Sequence, residues 1–557
     1  MASSFSTLTP LLFFSTRFSI FSSVICAFSC PSSLTPIHSI EDPHCHPLST
    51  CSRHLIPFLN HLNYCFQLLF EVVLTYFMTG ISAFVQSKDF PNTYEVHSYN
   101  IYLFPTSFGQ IDARFTCQAS SLEFLCNHKF DFNKFIKEGV SFLNKTQKEE
   151  LRELCVNNHL KIAGTLNRIL ERDFITPQCE EIEKWLKENK ENILVLECKE
   201  AFLQFLLYQE VRKKFPNLTC DIGTQGKLQV KKNSEKVDVE NYKEQINRIV
   251  EHCCGFSRVF DLLVKFKKPL LGHNIFTDVL FMYEKFHKAL PDEYHQFKRD
   301  IHELFPCIID TKHLAYSLGR QDILRESGLF KKTSLEELYT ELSSHKGLYY
   351  VLYTPTIIHS KNCQKYANTC NAHEAGYDAY ICGYIFIRMA HILTAKLLGA
   401  NMDGPLEFHQ YFDSVENWCN KINLPRARTL YLNLVGDDPE ITRPHWIHIS
   451  QRGRFKKITA AQIMKELERF GSLDVKVLDN RRALVATSHF QVSRRVFTAF
   501  RRHKKLKVRK YYPLFDNPRF RAFLWASGVT TAILTLFIGG VAALYYGKRT
   551  MNNGRQL

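Results

Sequence analysis

From Phe523 to Tyr546 the chain carries no charged residue. As a helix such a run is about 36 Å long, enough to cross the hydrocarbon core of a bilayer. Arg519 and Arg521 precede it, Lys548 and Arg549 follow it, and Trp525, Tyr545 and Tyr546 stand where interfacial aromatics belong. The run predicts a transmembrane helix that anchors the chain by its tail, and its length argues against a buried core helix. Only Gly547 to Leu557 follow it, so insertion after synthesis is expected, with the bulk of the protein facing the cytosol. The densely basic stretch from Arg494 to Lys510 agrees with that orientation. Basic residues on both flanks point to the mitochondrial outer membrane, with the endoplasmic reticulum as the alternative.

The other end is less regular. Residues 8–30 are apolar, Ser-rich and free of acidic side chains, as in a signal or transit sequence, yet no Lys or Arg precedes Arg17. Residues 65–79 are apolar but interrupted by Gln67 and Glu71, and are not expected to span a membrane. With 557 residues, 45% of them hydrophobic, the chain is too long for one core, and two to four folded units are expected. A formal net charge of +16 favours a polyanionic partner, either RNA or an acidic membrane surface. The 18 cysteines are scattered without a CxxC pair, and His44-Cys45-His46 has no second ligand cluster at zinc spacing. Free thiols in a reducing compartment are the expectation.

Near Gly80 the texture becomes that of an ordinary globular protein. Residues 81–85 and 98–104 read as short strands, and 145–215, rich in Glu, Lys and Leu at helical spacing, as a separate helical block. Residues 222–245 are polar enough for a linker or exposed loop. From 255 to 400 α and β patterns alternate, and 400–440 connect to a smaller unit. That unit has a β-α-β-β-α-β texture. Trp446 to Ile449, Leu473 to Leu478 and Ala483 to Ala486 read as strands, and Thr459 to Phe470, with Thr459 as N-cap, and Gln491 to Phe500 as helices. The order matches an RNA-recognition-motif-like (RRM-like) fold. Its strand Arg482-Ala483-Leu484-Val485-Ala486 has no aromatic, which leaves Trp446 as the stacking candidate. The sheet is therefore expected either to bind RNA weakly or to bind protein.

Two stretches carry chemistry. In Lys268-Pro269-Leu270-Leu271-Gly272-His273-Asn274-Ile275-Phe276-Thr277-Asp278 an apolar strand ends in a Gly turn and a helix begins, its apolar stripe formed by Ile275, Val279, Met282 and Phe286. Asp278 falls in the first turn, where a carboxylate can reach a metal; its structural alternative is compensation of the helix dipole. In His373-Glu374-Ala375-Gly376-Tyr377-Asp378 a second helix follows, with Asp378 on the face of Cys382, Ile385, Met389 and Ile392. His373, five residues before Asp378, is expected at or before the helix start, arching over the site.

In this order the pair resembles the second and third motifs of DEDD-type 3′–5′ exonucleases with a catalytic His. The resemblance is closer to the poly(A)-specific ribonuclease family and runs over about residues 80–512. It includes Tyr102-Leu103-Phe104-Pro105, Phe115-Thr116-Cys117-Gln118-Ala119-Ser120-Ser121, Phe130-Asp131-Phe132-Asn133-Lys134 and Phe305-Pro306-Cys307-Ile308-Ile309-Asp310-Thr311-Lys312. The tail anchor and weakened insert make it most similar to the family's tail-anchored germline branch, which trims piRNA precursors at mitochondria. The resemblance implies an α/β, RNase H-like DEDD exonuclease core with a helical insert, an RRM-like α+β domain and a C-terminal transmembrane helix. The implied division is an atypical segment 1–79, core 80–145, insert and linker 146–250, core 251–400, connector 401–442, RRM-like domain 443–512 and anchor 523–546. It also implies two Mg²⁺ ions held by four carboxylates that activate a water and stabilise the leaving oxygen. Asp278 and Asp378 would be metal ligands, His373 the general base and Lys312 a contact to RNA phosphate, with Asp310 structural. The implied partners are a single-stranded RNA 3′ end, the membrane, a Tudor-domain scaffold and a second copy of the chain. The insert lies where relatives carry a nucleic-acid-binding domain marked by Arg-x-x-x-His, of which no clear copy is read here.

The family's first motif, an Asp-x-Glu on the first strand, has no counterpart in residues 1–79, whose acidic residues are Glu41, Asp42 and Glu71. Two of four metal-binding carboxylates are therefore missing, and the metal site is expected to be incomplete. Residues 1–79 also replace the central first strand, which puts fold stability in question. Three origins are consistent with this: an incorrectly assembled or alternatively started product of a normal nuclease gene, a pseudonuclease that binds RNA or protein, or ligands supplied in a new way. The functional readings are an Mg²⁺-dependent 3′–5′ exoribonuclease, a catalytically dead membrane-anchored RNA-binding or adaptor protein, and a secreted protein led by residues 1–30.

Overall fold

The computed structural model describes residues 11–15 and, with internal gaps of which the longest are 158–170, 233–238, 369–373 and 452–458, residues 78–512. His44-Cys45-His46 and the tail segment Phe523–Tyr546 lie outside the described residues. The chain divides into two compact units, the second taking up the chain from Glu440.

The first unit is built on one sheet. Strand β1 (Leu11–Ser15) is followed by a hairpin of β2 (Met78–Gln86) and β3 (Thr93–Tyr102). The two hairpin strands are longer than the sequence pattern suggests. β1 is antiparallel to β2, with Phe13 opposite Ser82 and Ser15 opposite Gly80. The N-terminal segment, expected to replace the central first strand at a risk to fold stability, supplies it with Leu-Leu-Phe-Phe-Ser, a run of strand-compatible residues.

The insert that follows is not simply helical. Strands β4 (Ile193–Glu197), β5 (Thr219–Ile222) and β6 (Lys227–Lys231) form an antiparallel sheet in the order β4-β6-β5. Helices α1 (Ala201–Lys214) and α2 (Val239–Cys253) pack against β5. The expected loop over 222–245 is occupied by β6 and the start of α2. Its few apolar residues are spent at period two, and Leu228 and Val230 are fully buried while their neighbours stay polar.

The chain then returns to the main sheet with β7 (Leu270–Gly272), helix α3 (Phe276–Met282), β8 (Ile308–Asp310), helix α4 (Thr311–Leu318), β9 (Thr356–His359) and helix α5 (Ala375–Leu398). Strands β10 (Lys421–Asn423) and β11 (Tyr431–Asn433) extend the sheet, so part of the expected connector belongs to it. The order is β11-β10-β8-β7-β1-β2-β3-β9. β1 pairs in parallel with β7 on one side and antiparallel with β2 on the other. It therefore lies where the parallel and antiparallel halves meet.

Helix α5 packs on β1, β2, β3 and β7. Nearly every residue from Ala375 to Ala395 is buried, which makes it a core helix although its length and composition would let it cross a membrane. Its start lies directly on β2. A Cβ on Gly80 would come within 1.9 Å of the Ala375 carbonyl oxygen, and one on Gly376 within 2.7 Å of the Tyr366 hydroxyl. Asn100 Oδ1 accepts the Gly376 N–H at 3.1 Å, and the Ser82 hydroxyl donates to the Gly376 carbonyl at 3.4 Å. Further along α5, the fully buried His391 lies 2.9 Å from the Leu352 carbonyl through Nε2 and 3.1 Å from the Tyr411 hydroxyl through Nδ1. A neutral ring donating from Nε2 and accepting at Nδ1 satisfies both.

The second unit has β12 (Ile447–Gln451), helix α6 (Ala460–Leu467), β13 (Leu473–Asp479), β14 (Arg482–Thr487), helix α7 (Phe490–Phe500) and β15 (Leu506–Lys510). The sheet is antiparallel, in the order β13-β14-β12-β15. Thr459 caps α6 reciprocally with Gln462. Ile447, Ile449, Ala483 and Val485 join Val496 and Phe500 of α7 in the core. The alternate strand positions His448, Leu484 and Lys476 are buried as well. Trp446, the expected stacking residue, has its ring against Tyr511.

Two outcomes follow from these contacts. Gly80→Ala forces a carbon into backbone that cannot yield, and is expected to cost about 3 kcal/mol, read as a lower midpoint in thermal or urea unfolding. Burial, and then the nearby Arg388, hold the His391 imidazole down to about 4 from an ordinary 6.5. The unfolded chain therefore binds the extra proton, and stability falls as the pH drops through that window, by about 3 kcal/mol at its lower end. His391→Gln should flatten the melting temperature between pH 6.5 and 4.5 relative to the parent.

Candidate active site

Two strand-to-helix turns, β7–α3 and β8–α4, and the start of α5 frame the candidate site. β7 ends at Gly272, and the turn His273-Asn274 leads into α3, with Asn274 held at φ 62°. Asp278 sits in the first turn of α3 and is buried. Asp378 occupies the equivalent place in α5, buried to 1% exposure. Ile275, Val279, Met282 and Phe286 are all buried, as are Cys382, Ile385, Met389 and Ile392, so both expected apolar stripes face the core.

Asp310, at the end of β8, ties these turns together. Its Oδ1 accepts from the backbone N–H groups of Asn274 at 2.9 Å, Lys312 at 3.0 Å and His313 at 3.4 Å. Its Oδ2 accepts from Ile275 at 3.2 Å and Asn423 at 2.9 Å. Burial pushes its carboxyl up, and the N–H groups oppose that shift. One side chain thereby caps α4, fixes the β7–α3 turn and holds β10, the structural role expected of it. Thr311 adds a bond from its hydroxyl to the Gly272 carbonyl at 3.0 Å and lies 3.0 Å from His273 Nδ1.

Asp278 lies within electrostatic reach of Asp310, and Cys382 within reach of Asp310, Asp378 and Asp278. Burial pushes the Asp278 carboxyl well above its usual range, with Asp310 adding to the shift. Cys382, one turn beyond Asp378, is pushed up to about 12 by burial, with Asp310, Asp378 and Asp278 all contributing. The sequence places Cys382 on the Asp378 face, but taken alone it is one more apolar position of that stripe. Sequence reading passed over Asn100 and Ser82, which hold the α5 start from strands remote in sequence. The loop before α5 is held through Glu374, which pairs with Lys365 and accepts from the Tyr366 hydroxyl at 2.6 Å. His373 lies outside the described residues. Lys312 is in the first turn of α4, half-buried, and its charge reaches Glu337.

The comparisons fit this geometry. Residues 58–386 match the model of the CAF1 family ribonucleases. The chain belongs to that family. The poly(A)-specific ribonuclease PNLDC1 of Mus musculus is 31% identical over 479 residues, covering 83% of this chain and 86% of the relative. The pre-piRNA 3′-exonuclease trimmer of Bombyx mori is 30% identical over 472 residues, covering 82% and 86%. The poly(A)-specific ribonuclease PARN of Xenopus laevis is 30% identical over 424 residues, covering 71% and 64%. The CAF1 family match accounts for the RNase H-like sheet, and its span includes Asp278 and Asp378. It begins at residue 58, so β1 lies outside it.

The register sets where the residues of β1 lie on the sheet. Phe13 and Ser15 lie opposite Ser82 and Gly80, the two β2 positions that touch the first turn of α5. Residues opposed in an antiparallel pair share a face, so positions 13 and 15 of β1 belong to the same face of the sheet as Ser82 and Gly80. With Asp310 committed to five backbone N–H groups, Asp278 and Asp378 remain. Among the described residues no group of three or more His, Cys, Asp or Glu is placed to hold a metal. Two carboxylates do not fit a site for two divalent ions, whose charge needs a larger anionic donor set. The marker spacing sought in the insert does occur, at Arg248 and His252 of α2, a correction to the sequence reading. There Arg248 is paired with Glu244 at 2.6 Å, and burial lowers the His252 pKa.

A buried carboxyl whose pKa is raised is bound to its proton more tightly in the folded state, so it costs stability once the pH exceeds its unfolded value. Asp278→Asn removes that cost. The substitution is expected to raise the melting temperature at pH 7.5 and to leave it nearly unchanged at pH 4, as checked by calorimetry at both values.

Proposed function

We propose that the chain acts on RNA 3′ ends, as the names of its relatives describe for those proteins, and that in its present form it holds the 3′ end without hydrolysing it. The observation that carries this reading is the occupation of the central strand by Leu-Leu-Phe-Phe-Ser beside a pair of converging Asp residues. Asp278 and Asp378 are half of the carboxylate set on which 3′–5′ exonuclease chemistry depends. His373 is positioned in sequence to serve as the general base, and Lys312 to meet a phosphate. Mg²⁺ is the cofactor of the complete site, where it would activate water and neutralise the leaving oxygen. Active trimming of poly(A) or piRNA precursors is the second reading, supported by the identity to the trimmer and to both ribonucleases.

We read residues 523–546 as a single-pass tail anchor in the mitochondrial outer membrane, with the endoplasmic reticulum membrane as the alternative, and the bulk of the chain in the cytosol. The second unit is RRM-like in its strand order. With His448, Leu484 and Lys476 buried and Trp446 stacked on Tyr511, base stacking on that sheet is not part of the proposal.

The test uses 5′-labelled single-stranded RNA with a free 3′-hydroxyl and Mg²⁺. The parent chain is expected to bind without producing a ladder. The double variant Phe13→Asp, Ser15→Glu is expected to gain Mg²⁺-dependent stepwise trimming, which Asp278→Asn then abolishes. A ladder from the parent that Asp278→Asn removes would sink the silent-site reading in favour of active trimming. Failure of the parent to bind RNA would sink both.

A further inference from the structure

The excess positive charge of this chain is concentrated in its second unit. Between Arg443 and Tyr512 there are 19 Lys and Arg against 4 Asp and Glu, a difference of +15 beside +16 for the whole chain. Within the unit it is concentrated again. From Arg494 to Lys510 nine residues are basic and none is acidic. The fold leaves most of the basic side chains of this run exposed. Arg494 and Arg495 are on the outer side of α7, whose inner side buries Val492, Val496 and Phe500. Arg501, Arg502 and Lys505 follow in the turn, and Lys507 is on the edge strand β15. These six are exposed, and none forms an ion pair with a described acidic residue. The turn is fixed by His503, whose Nδ1 accepts the Leu506 N–H at 3.0 Å and whose ring lies against Phe500.

Two further features select the partner. Exposed aromatics bracket the band, Phe490 at the start of α7 and Tyr512 after β15. Aromatics flanking clustered cations are suited to the headgroup layer of a membrane. From Lys510 only Tyr511 to Ala522 intervene before the uncharged run, at most about 40 Å of extended chain. RNA would be attracted by the same charge, but three positions of the sheet face that would stack bases, His448, Leu484 and Lys476, are buried, and five of the six exposed cations lie on α7 and the turn after it.

We infer that the band from Arg494 to Lys507 is a docking surface for the anionic lipid headgroups of the membrane in which Phe523–Tyr546 is anchored. The inference rests on that anchor reading. Docking orients the second unit against the bilayer by charge, and the anchor holds it within reach.

Vesicle flotation of the full chain separates the two ideas. The intact chain should float with pure phosphatidylcholine vesicles. If it does not, the anchor reading fails, and this inference in its present form falls with it. A full chain with the anchor broken by Leu536→Asp and Ile538→Asp should float only when the vesicles contain phosphatidylserine. That flotation should disappear in about 1 M salt, where the screening length falls to about 3 Å. Replacing Arg494, Arg495, Arg501, Arg502, Lys505 and Lys507 by Gln in the anchor-broken chain should lower partition at least about tenfold. Changing the four Arg to Lys should preserve it, and an unchanged melting temperature would exclude misfolding. If the anchor-broken chain ignores phosphatidylserine while the Gln variant loses RNA affinity, the band is an RNA surface and the inference is overturned.

Discussion

The first unit depends on how closely α5 approaches β2. At Gly80 no side-chain atom fits between the strand and the Ala375 carbonyl. Asn100 and Ser82 convert that proximity into directed hydrogen bonds at Gly376. Two residues later comes Asp378. A carboxylate on a helix start is only as well placed as the helix start itself, and here strands from the far side of the sequence fix it. The same logic governs the other side of β1, where the two oxygens of Asp310 collect N–H groups from the β7–α3 turn, α4 and β10. The framework of the site is therefore held independently of β1.

That independence explains how the fold can accommodate an unusual first strand. A strand in the middle of a sheet must satisfy backbone partners on both edges and present residues that tolerate burial. Leu11–Ser15 meets that requirement, pairing with β2 and β7. The requirement concerns backbone and bulk, whereas two-metal chemistry requires charge. Phe13-Phe14-Ser15 supplies the first without the second. Burial, with Asp310 adding to it, drives the Asp278 carboxyl toward the protonated form.

The second unit has a different physical basis. Its strand order would open a sheet face to bases, yet His448, Leu484 and Lys476 on that face are buried. Charge is instead displayed on α7 and β15. Electrostatic attraction of this kind depends on the number and exposure of cations and little on their exact geometry, so it survives where a stacking platform does not.

The sequence alone determined the placement of Asp278 and Asp378 in the first turns of apolar-striped helices, the strand–helix order of the second unit, the Thr459 cap and the absence of a first-strand carboxylate pair. All of these are local: periodicity, a Gly turn, or composition within a window. The β-sheet inside the insert was missed because β4, β5 and β6 are short and only half buried, and β4 pairs with a strand some thirty residues further along the chain. The filling of the central strand by Leu11–Ser15 was missed for the same reason, since its neighbours β2 and β7 are distant in sequence. Only the tertiary structure decided that Phe13 and Ser15 pair opposite Ser82 and Gly80, that Cys382 lies within electrostatic reach of three carboxylates, and that Asp310 is spent on backbone. Register and convergence are relations between segments, and no single stretch of sequence contains them.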